Sequence, residues 1–164
     1  MREEGFLLTI AEISIGIAGF AGIVALFGHR AAGAWSAIDR IRFNALIGYA
    51  LTSLFAALLP LVFYYVASDH VSPWKLSSAL FGVVLAFVCV AGIRATLVAS
   101  ATEDPEANIR GGWILAGLAA LASALLFLNA LGIVFQGNGA PYLFVLFLVL
   151  SGAGYFFSRL LRFA

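Results

Sequence analysis

The sequence predicts an all-α membrane protein in which five helices cross the bilayer as one polytopic bundle. Hydrophobic residues make up 63% of the 164 residues, whereas charged residues make up only 10%. Soluble domains carry roughly 25% charged residues, and a helix that spans a bilayer needs about 20 mostly apolar residues. Apolar and polar residues do not alternate with period two, which disfavours a transmembrane β-barrel. The composition excludes a soluble enzyme and a nucleic-acid-binding protein.

The first two predicted spans cover residues 6–28 and about 43–67. The first follows Arg2-Glu3-Glu4, a net acidic start that differs from the basic start of a signal peptide, so we expect the segment to be retained. The second follows Ser36 and Asp39, whose spacing fits a capping box at the start of a helix. A single transmembrane domain over residues 1–164 is therefore expected, because no polar linker is long enough to separate domains.

The remaining spans cover residues 74–99, 113–135 and 142–158. Ser72-Pro73 is a typical start for the third helix, since proline at the first helical position loses no required N–H. Asp104-Pro105-Glu106 repeats this arrangement before the fourth span and places acidic groups near the positive end of the helix dipole. Gln136 to Pro141 forms a tight turn between the last two spans.

The positions of the basic residues predict an N-out, C-in orientation. Lysines and arginines concentrate on the cytoplasmic side of membrane proteins. With five spans, the side expected to be cytoplasmic carries Arg30, Arg40, Arg42, Arg94, Arg110, Arg159 and Arg162, and the other side carries Arg2 and Lys75. We therefore expect a multi-pass protein of a bacterial-type plasma membrane with its basic loops in the cytoplasm.

Glu12 is the most informative polar residue inside a span. It lies about six residues, or roughly 9 Å, into the first span, where a carboxylate usually faces protein or water. Gly16 and Gly19 follow on the same helical face, and small residues there allow another helix to approach closely. Three interpretations remain open: a proton or cation site, a hydrogen-bonded structural lock, and a carboxylate that reaches the headgroups. We expect Glu12 to face the interior of the bundle.

Asn129 and Tyr64 are candidate partners for this carboxylate. Asn129 lies about six residues before the outer end of the fourth span, and Tyr64 lies near the outer end of the second. An interhelical hydrogen bond explains the asparagine equally well, and anchoring in the aromatic belt explains the tyrosine. Gly82 belongs to a small-residue face of the third span, so we predict that it serves helix packing, within one chain or between chains.

The run Thr9-Ile10-Ala11-Glu12-Ile13 resembles the Ala-Glu element in the first span of the small multidrug resistance family. In that family the glutamate exchanges protons for cationic drugs, so the resemblance implies such a role for Glu12. It covers about ten residues, and that family has four spans in a shorter chain.

The sequence leaves two classes of function open. Motifs for phosphate loops, zinc sites and catalytic triads are missing, so we expect no enzyme activity, catalytic residue, metal or cofactor. The favoured prediction is a small membrane protein that acts through helix packing and assembly, as an accessory subunit or scaffold. Its expected partners are the lipid bilayer and a second copy or another membrane subunit, without nucleic acid. The alternative is a small proton- or cation-coupled transporter or channel that uses Glu12.

Overall fold

The computed structural model describes residues 3–32, 37–66, 72–101 and 109–161. Over these ranges the chain is all-α, without a strand, as the sequence predicts. All five helices are long and apolar enough to cross a membrane, while the N-out, C-in orientation stays a prediction. The helices are α1 (Glu4–Ala32), α2 (Ala37–Val66), α3 (Pro73–Ala101), α4 (Ile109–Ala130) and α5 (Ala140–Leu161).

The chain divides into two compact units. The first contains residues Met1–Val66 and Phe144–Ala164, and the second contains Ala67–Leu143. The centre of the first unit is a cluster of buried residues from α1, α2 and α5, most of them small, which allows these helices to pack closely. Its members are Ala21, Leu46, Ala50 and Ala153.

Aromatic rings surround the cluster in the first unit. Tyr49 stacks on Phe156 with ring centroids 5.5 Å apart, and Phe20 meets Phe157 edge-on at 5.4 Å. A Cβ atom added to Gly152 would lie 3.1 Å from the Tyr49 ring, so glycine at this position lets the ring approach the α5 backbone. Offset and edge-on pairs of this kind stabilise packing beyond their buried area.

The second unit is built on an antiparallel pair formed by α3 and α4. Ser123 Oγ on α4 donates a hydrogen bond of 2.9 Å to the Gly82 carbonyl oxygen on α3. Cys89 Sγ lies 3.3 Å from the Ala116 carbonyl oxygen, further along the same interface. The first turn of α5 joins this unit through Tyr142, whose ring centroid lies 5.4 Å from that of Phe81.

The end of α4 differs from the sequence prediction. The apolar run continues to residue 135, but the helix ends at Ala130 and begins earlier than expected, at Ile109. Gly132 adopts a left-handed conformation with φ of 73°. Its N–H bonds the Asn129 carbonyl at 3.0 Å, while the Ile133 N–H bonds the Leu128 carbonyl at 3.0 Å. This pair of bonds is the Schellman motif, which ends a helix regardless of the hydropathy of the next residues.

Two predicted helix starts lie inside the described residues. α3 begins at Pro73, and the Ser72 carbonyl accepts a hydrogen bond of 3.0 Å from the Lys75 N–H, which confirms the Ser72-Pro73 start. α5 begins at Ala140, two residues earlier than predicted, because Asn138 Oδ1 accepts a bond of 2.8 Å from the Ala140 N–H. The predicted caps at Ser36 and at Asp104-Pro105-Glu106 lie outside the described residues.

Candidate functional site

Glu12 is exposed on the surface of the chain, so the expectation that it faces the interior is wrong. The buried side chains of α1 between residues 7 and 21 are three, four or seven residues apart, as one helical face requires. They are Leu7, Ile10, Ala11, Ser14 and Ala21. Glu12 falls off this buried stripe, next to Ala11 in sequence but about 100° away around the helix.

The exposed side of α1 carries a polar and small-residue surface, here named the Glu12 face, formed by Thr9, Glu12, Gly16 and Gly19. A Cβ atom added to Gly16 or Gly19 would meet no other atom within 4 Å. Thr9 Oγ1 donates a hydrogen bond of 2.9 Å to the Gly5 carbonyl, so its hydroxyl proton stays within the helix. The face is therefore open to close approach by another helix, with one carboxylate on it.

Asn129 is fully buried in the second unit. Its side-chain nitrogen donates to Ser78 Oγ on α3 at 2.9 Å and to the Asn138 carbonyl oxygen before α5 at 3.0 Å. These two bonds use both amide protons of Asn129, so none is left to donate to a carboxylate. Asn129 instead ties together α3, α4 and the segment that leads into α5.

Two buried polar atoms near this junction have no hydrogen-bond partner among the described residues: Asn129 Oδ1 and Ser77 Oγ. The serine lies in the second turn of α3, one residue before Ser78, the acceptor for Asn129. A buried polar atom without a partner is costly. The unsatisfied oxygen therefore limits the stability that the two amide bonds of Asn129 contribute.

Tyr64 lies in the last turn of α2 and is 53% exposed. Its ring meets that of Tyr65 edge-on, with centroids 5.5 Å apart, and Tyr65 is 80% exposed. Two exposed tyrosines at the end of a span are typical of the aromatic belt at the membrane interface. Their position supports an anchoring role for Tyr64 rather than a role as the buried partner of a carboxylate.

Gly82 packs within one chain, which answers the question that the sequence left open for this residue. A Cβ atom added to it would lie 3.4 Å from Leu126 Cβ and 3.5 Å from the Phe127 ring. Its carbonyl oxygen also accepts the bond from Ser123. The glycines therefore divide into two groups, since Gly82 lies inside the α3–α4 interface whereas Gly16 and Gly19 are open.

The sequence does not reveal which residues meet at the closest approaches in the second unit. The Thr96 side chain lies against the Gly112 backbone, and a Cβ atom added to Gly139 would lie 2.8 Å from Trp74 Cε2. Gly112 was recognisable as part of a small-residue face, but nothing local to the sequence pairs Trp74 with a glycine in a distant turn. Among the described residues, no three His, Cys, Asp or Glu side chains are grouped to bind a metal.

Comparisons of this chain with protein-family models, with curated proteins and with solved structures gave no match. The open Glu12 face and the closed packing of α3 and α4 are the features of the structure that bear on function.

Proposed function

We propose that this chain is a small integral membrane protein that acts through assembly, with the Glu12 face of α1 as its docking surface. The observation that carries the proposal is the exposure of Glu12 well inside a helix long and apolar enough to span the membrane. Its expected roles are those of an accessory subunit or scaffold. The proposed occupant of the face is a second copy of the chain.

The free energy of an exposed carboxylate at this depth favours a protein neighbour over lipid. Insertion measurements give about 2.5 to 3.5 kcal/mol for an acidic side chain at the centre of a span, and less near its ends. Contact with a second helix would replace part of the lipid around Glu12 with hydrogen-bonding groups. The chain itself does not bury Glu12 among such groups, because the side chain is exposed on its surface.

The glycines of the face provide the second part of the argument. Helices in lipid associate through close van der Waals packing, and small residues allow that packing. Gly16 and Gly19 lie four and seven residues after Glu12, on the same side of α1, with no other atom near either Cβ position. In a symmetric pair of parallel copies, equivalent residues near the axis meet each other. Each Glu12 would then lie beside the glutamate of the other copy.

Disulfide crosslinking in native membranes tests the assembly. Cys89 is first replaced by alanine, and a single cysteine is placed at Ile23, an exposed position one turn beyond Gly19. We expect an oxidant to give a covalent dimer of Ile23→Cys, and Gly16→Leu in the same chain to suppress it. Leu121→Cys, at a 71% exposed position on α4, is the matched control for random collision. Equal crosslinking of the two cysteines would overturn the proposal.

Transport coupled to protons or cations is the second candidate, because the exposed group is ionisable and lies within a span. Glu12→Gln separates the two functions, since an amide keeps hydrogen bonding but cannot release a proton. Assembly predicts that crosslinking at Ile23→Cys survives in Glu12→Gln. Transport predicts in addition that a pH gradient drives flux in proteoliposomes of the unsubstituted chain and that this flux is lost in Glu12→Gln.

A further inference from the structure

The described residues of the second unit carry basic side chains but no carboxylate. Residues 72–101 and 109–143 contain Lys75, Arg94 and Arg110, and neither Asp nor Glu. Both arginines are exposed. An arginine at the edge of a span needs a counter-ion or water. Any counter-ion of these two has to come from outside this part of the unit.

The packing of α3 against α4 places both arginines at the same end of the helix pair. The Thr96 side chain lies against Gly112, which fixes the register there. Arg94 is therefore level with the first turns of α4, near Trp113, and Arg110 is level with the residues just after Thr96. With a rise of 1.5 Å per residue, the two arginine levels differ by about 6 Å along the helix axes.

This end of the pair lies at the boundary of the hydrocarbon region. α3 rises about 31 Å between Pro73 and Arg94, close to the thickness of about 30 Å of a bilayer core. Trp113 is 47% exposed at the same level. Tryptophan is enriched at the membrane–water interface, and long basic side chains extend to the headgroups there.

We propose that Arg94 and Arg110 bind the phosphate of an anionic phospholipid, with Trp113 beside the lipid glycerol. A guanidinium group binds phosphate oxygens through paired hydrogen bonds, and a second cation favours an anionic headgroup over a zwitterionic one. The predicted orientation places this end in the cytoplasmic leaflet, which is the anionic one. The inference does not depend on the Glu12 face.

Quenching of tryptophan fluorescence by brominated lipids tests the site in the full-length chain. Trp35→Phe and Trp74→Phe leave Trp113 as the only tryptophan. The measured quantity is the preference of the site beside Trp113 for phosphatidylglycerol over phosphatidylcholine. It is obtained by comparing how strongly the brominated form of each lipid quenches Trp113 in vesicles. We expect a preference between about fivefold and about 25-fold, since each of the two basic residues contributes a factor of up to about five.

Variants and competitors decide between the sources of the anion. Arg94→Gln with Arg110→Gln should bring the preference close to one, whereas Lys75→Gln, at the other end of α3, should leave it unchanged. Arg94→Lys, which keeps the charge but loses the paired hydrogen bonds, should retain part of it and shows that the fold is intact. Inorganic phosphate at matched ionic strength should not compete, and competition would overturn the assignment to a lipid.

The remaining outcome of the test is that the acidic segment between α3 and α4 neutralises the two arginines. This segment contains Glu103, Asp104 and Glu106, which lie outside the described residues. If these carboxylates neutralise the arginines, the unsubstituted chain will show no lipid preference, and one will emerge only when all three are changed to amides. That result would overturn the proposal, as would a preference that survives in Arg94→Gln with Arg110→Gln.

Discussion

Gly16 and Gly19 of α1 meet different surroundings from Gly82 and Gly112 of the α3–α4 pair. Gly16 and Gly19 have no other atom within 4 Å of an added Cβ, whereas Gly82 and Gly112 have side chains of the partner helix at that distance or closer. The polar residues divide in the same way, because Asn129 has partners within its own unit and Glu12 is exposed. Small residues in a span therefore permit close approach, but only the contacts show whether a helix of the same chain makes it.

The largest expected difference between the two regions is in the response to added bulk. Gly112→Leu forces a side chain into the space of Thr96, so we expect the free energy of unfolding to fall by about 2 to 3 kcal/mol. Gly16→Leu fills open space and should not lower the stability of the detergent-solubilised monomer, because leucine also favours the helix over glycine. Reversible unfolding in mixed SDS micelles measures both. Similar losses for the two substitutions would show that the Glu12 face is already covered within the monomer.

A smaller effect is expected at the end of α4. Gly132→Ala places a Cβ atom on a residue with φ of 73°, 3.2 Å from Lys75 Nζ, and should lower the free energy of unfolding by about 1 to 2 kcal/mol. The control is Gly117→Ala, in the interior of the same helix with open space around it. That change should raise stability by up to about 1 kcal/mol, because alanine favours the helix. The same unfolding assay checks both signs, and a stabilising Gly132→Ala would contradict the Schellman end.

The smallest effect concerns the interhelical hydrogen bond of the second unit. A double-mutant cycle with Ser78→Ala and Asn129→Ala should give a coupling of about 0.6 kcal/mol, the average for such bonds in a membrane protein. The cycle separates the coupling energy of this bond from the cost of the cavity that Asn129→Ala also creates. Thr9→Ala with Glu12→Ala is the matched pair on α1, where we expect no coupling in the monomer. A coupling between Ser78 and Asn129 near zero would mean that the bond contributes nothing.

Hydropathy predicts the five helices because each span must be apolar along most of its length. It fails at the end of α4, since residues 131–135 are as apolar as the helix before them and only the conformation of Gly132 ends it. The starts of α3 and α5 depend on local capping, which explains why Ser72-Pro73 was recognised. The bond from Ala140 to Asn138 two residues earlier was visible only in the structure.

The candidate site was less predictable from the sequence than the helices. A helical face can be derived from spacing, so Glu12, Gly16 and Gly19 were correctly placed on one side of α1. Spacing alone does not state which side of a mostly apolar helix is buried, because lipid and protein interior favour the same residues. The sequence does not reveal the partners of Asn129 either. Its hydrogen bonds reach Ser78, 51 positions away, and Asn138, 9 positions away.

The division of the chain into two units has a consequence for biosynthesis. The second unit is continuous in sequence, so α3 and α4 can pair as soon as both have left the ribosome and entered the bilayer. The first unit is discontinuous, because Ala153 of α5 completes the cluster of Ala21, Leu46 and Ala50. α1 and α2 therefore wait for α5, and until α5 is made the nascent chain carries an unfinished packing surface on α1 and α2.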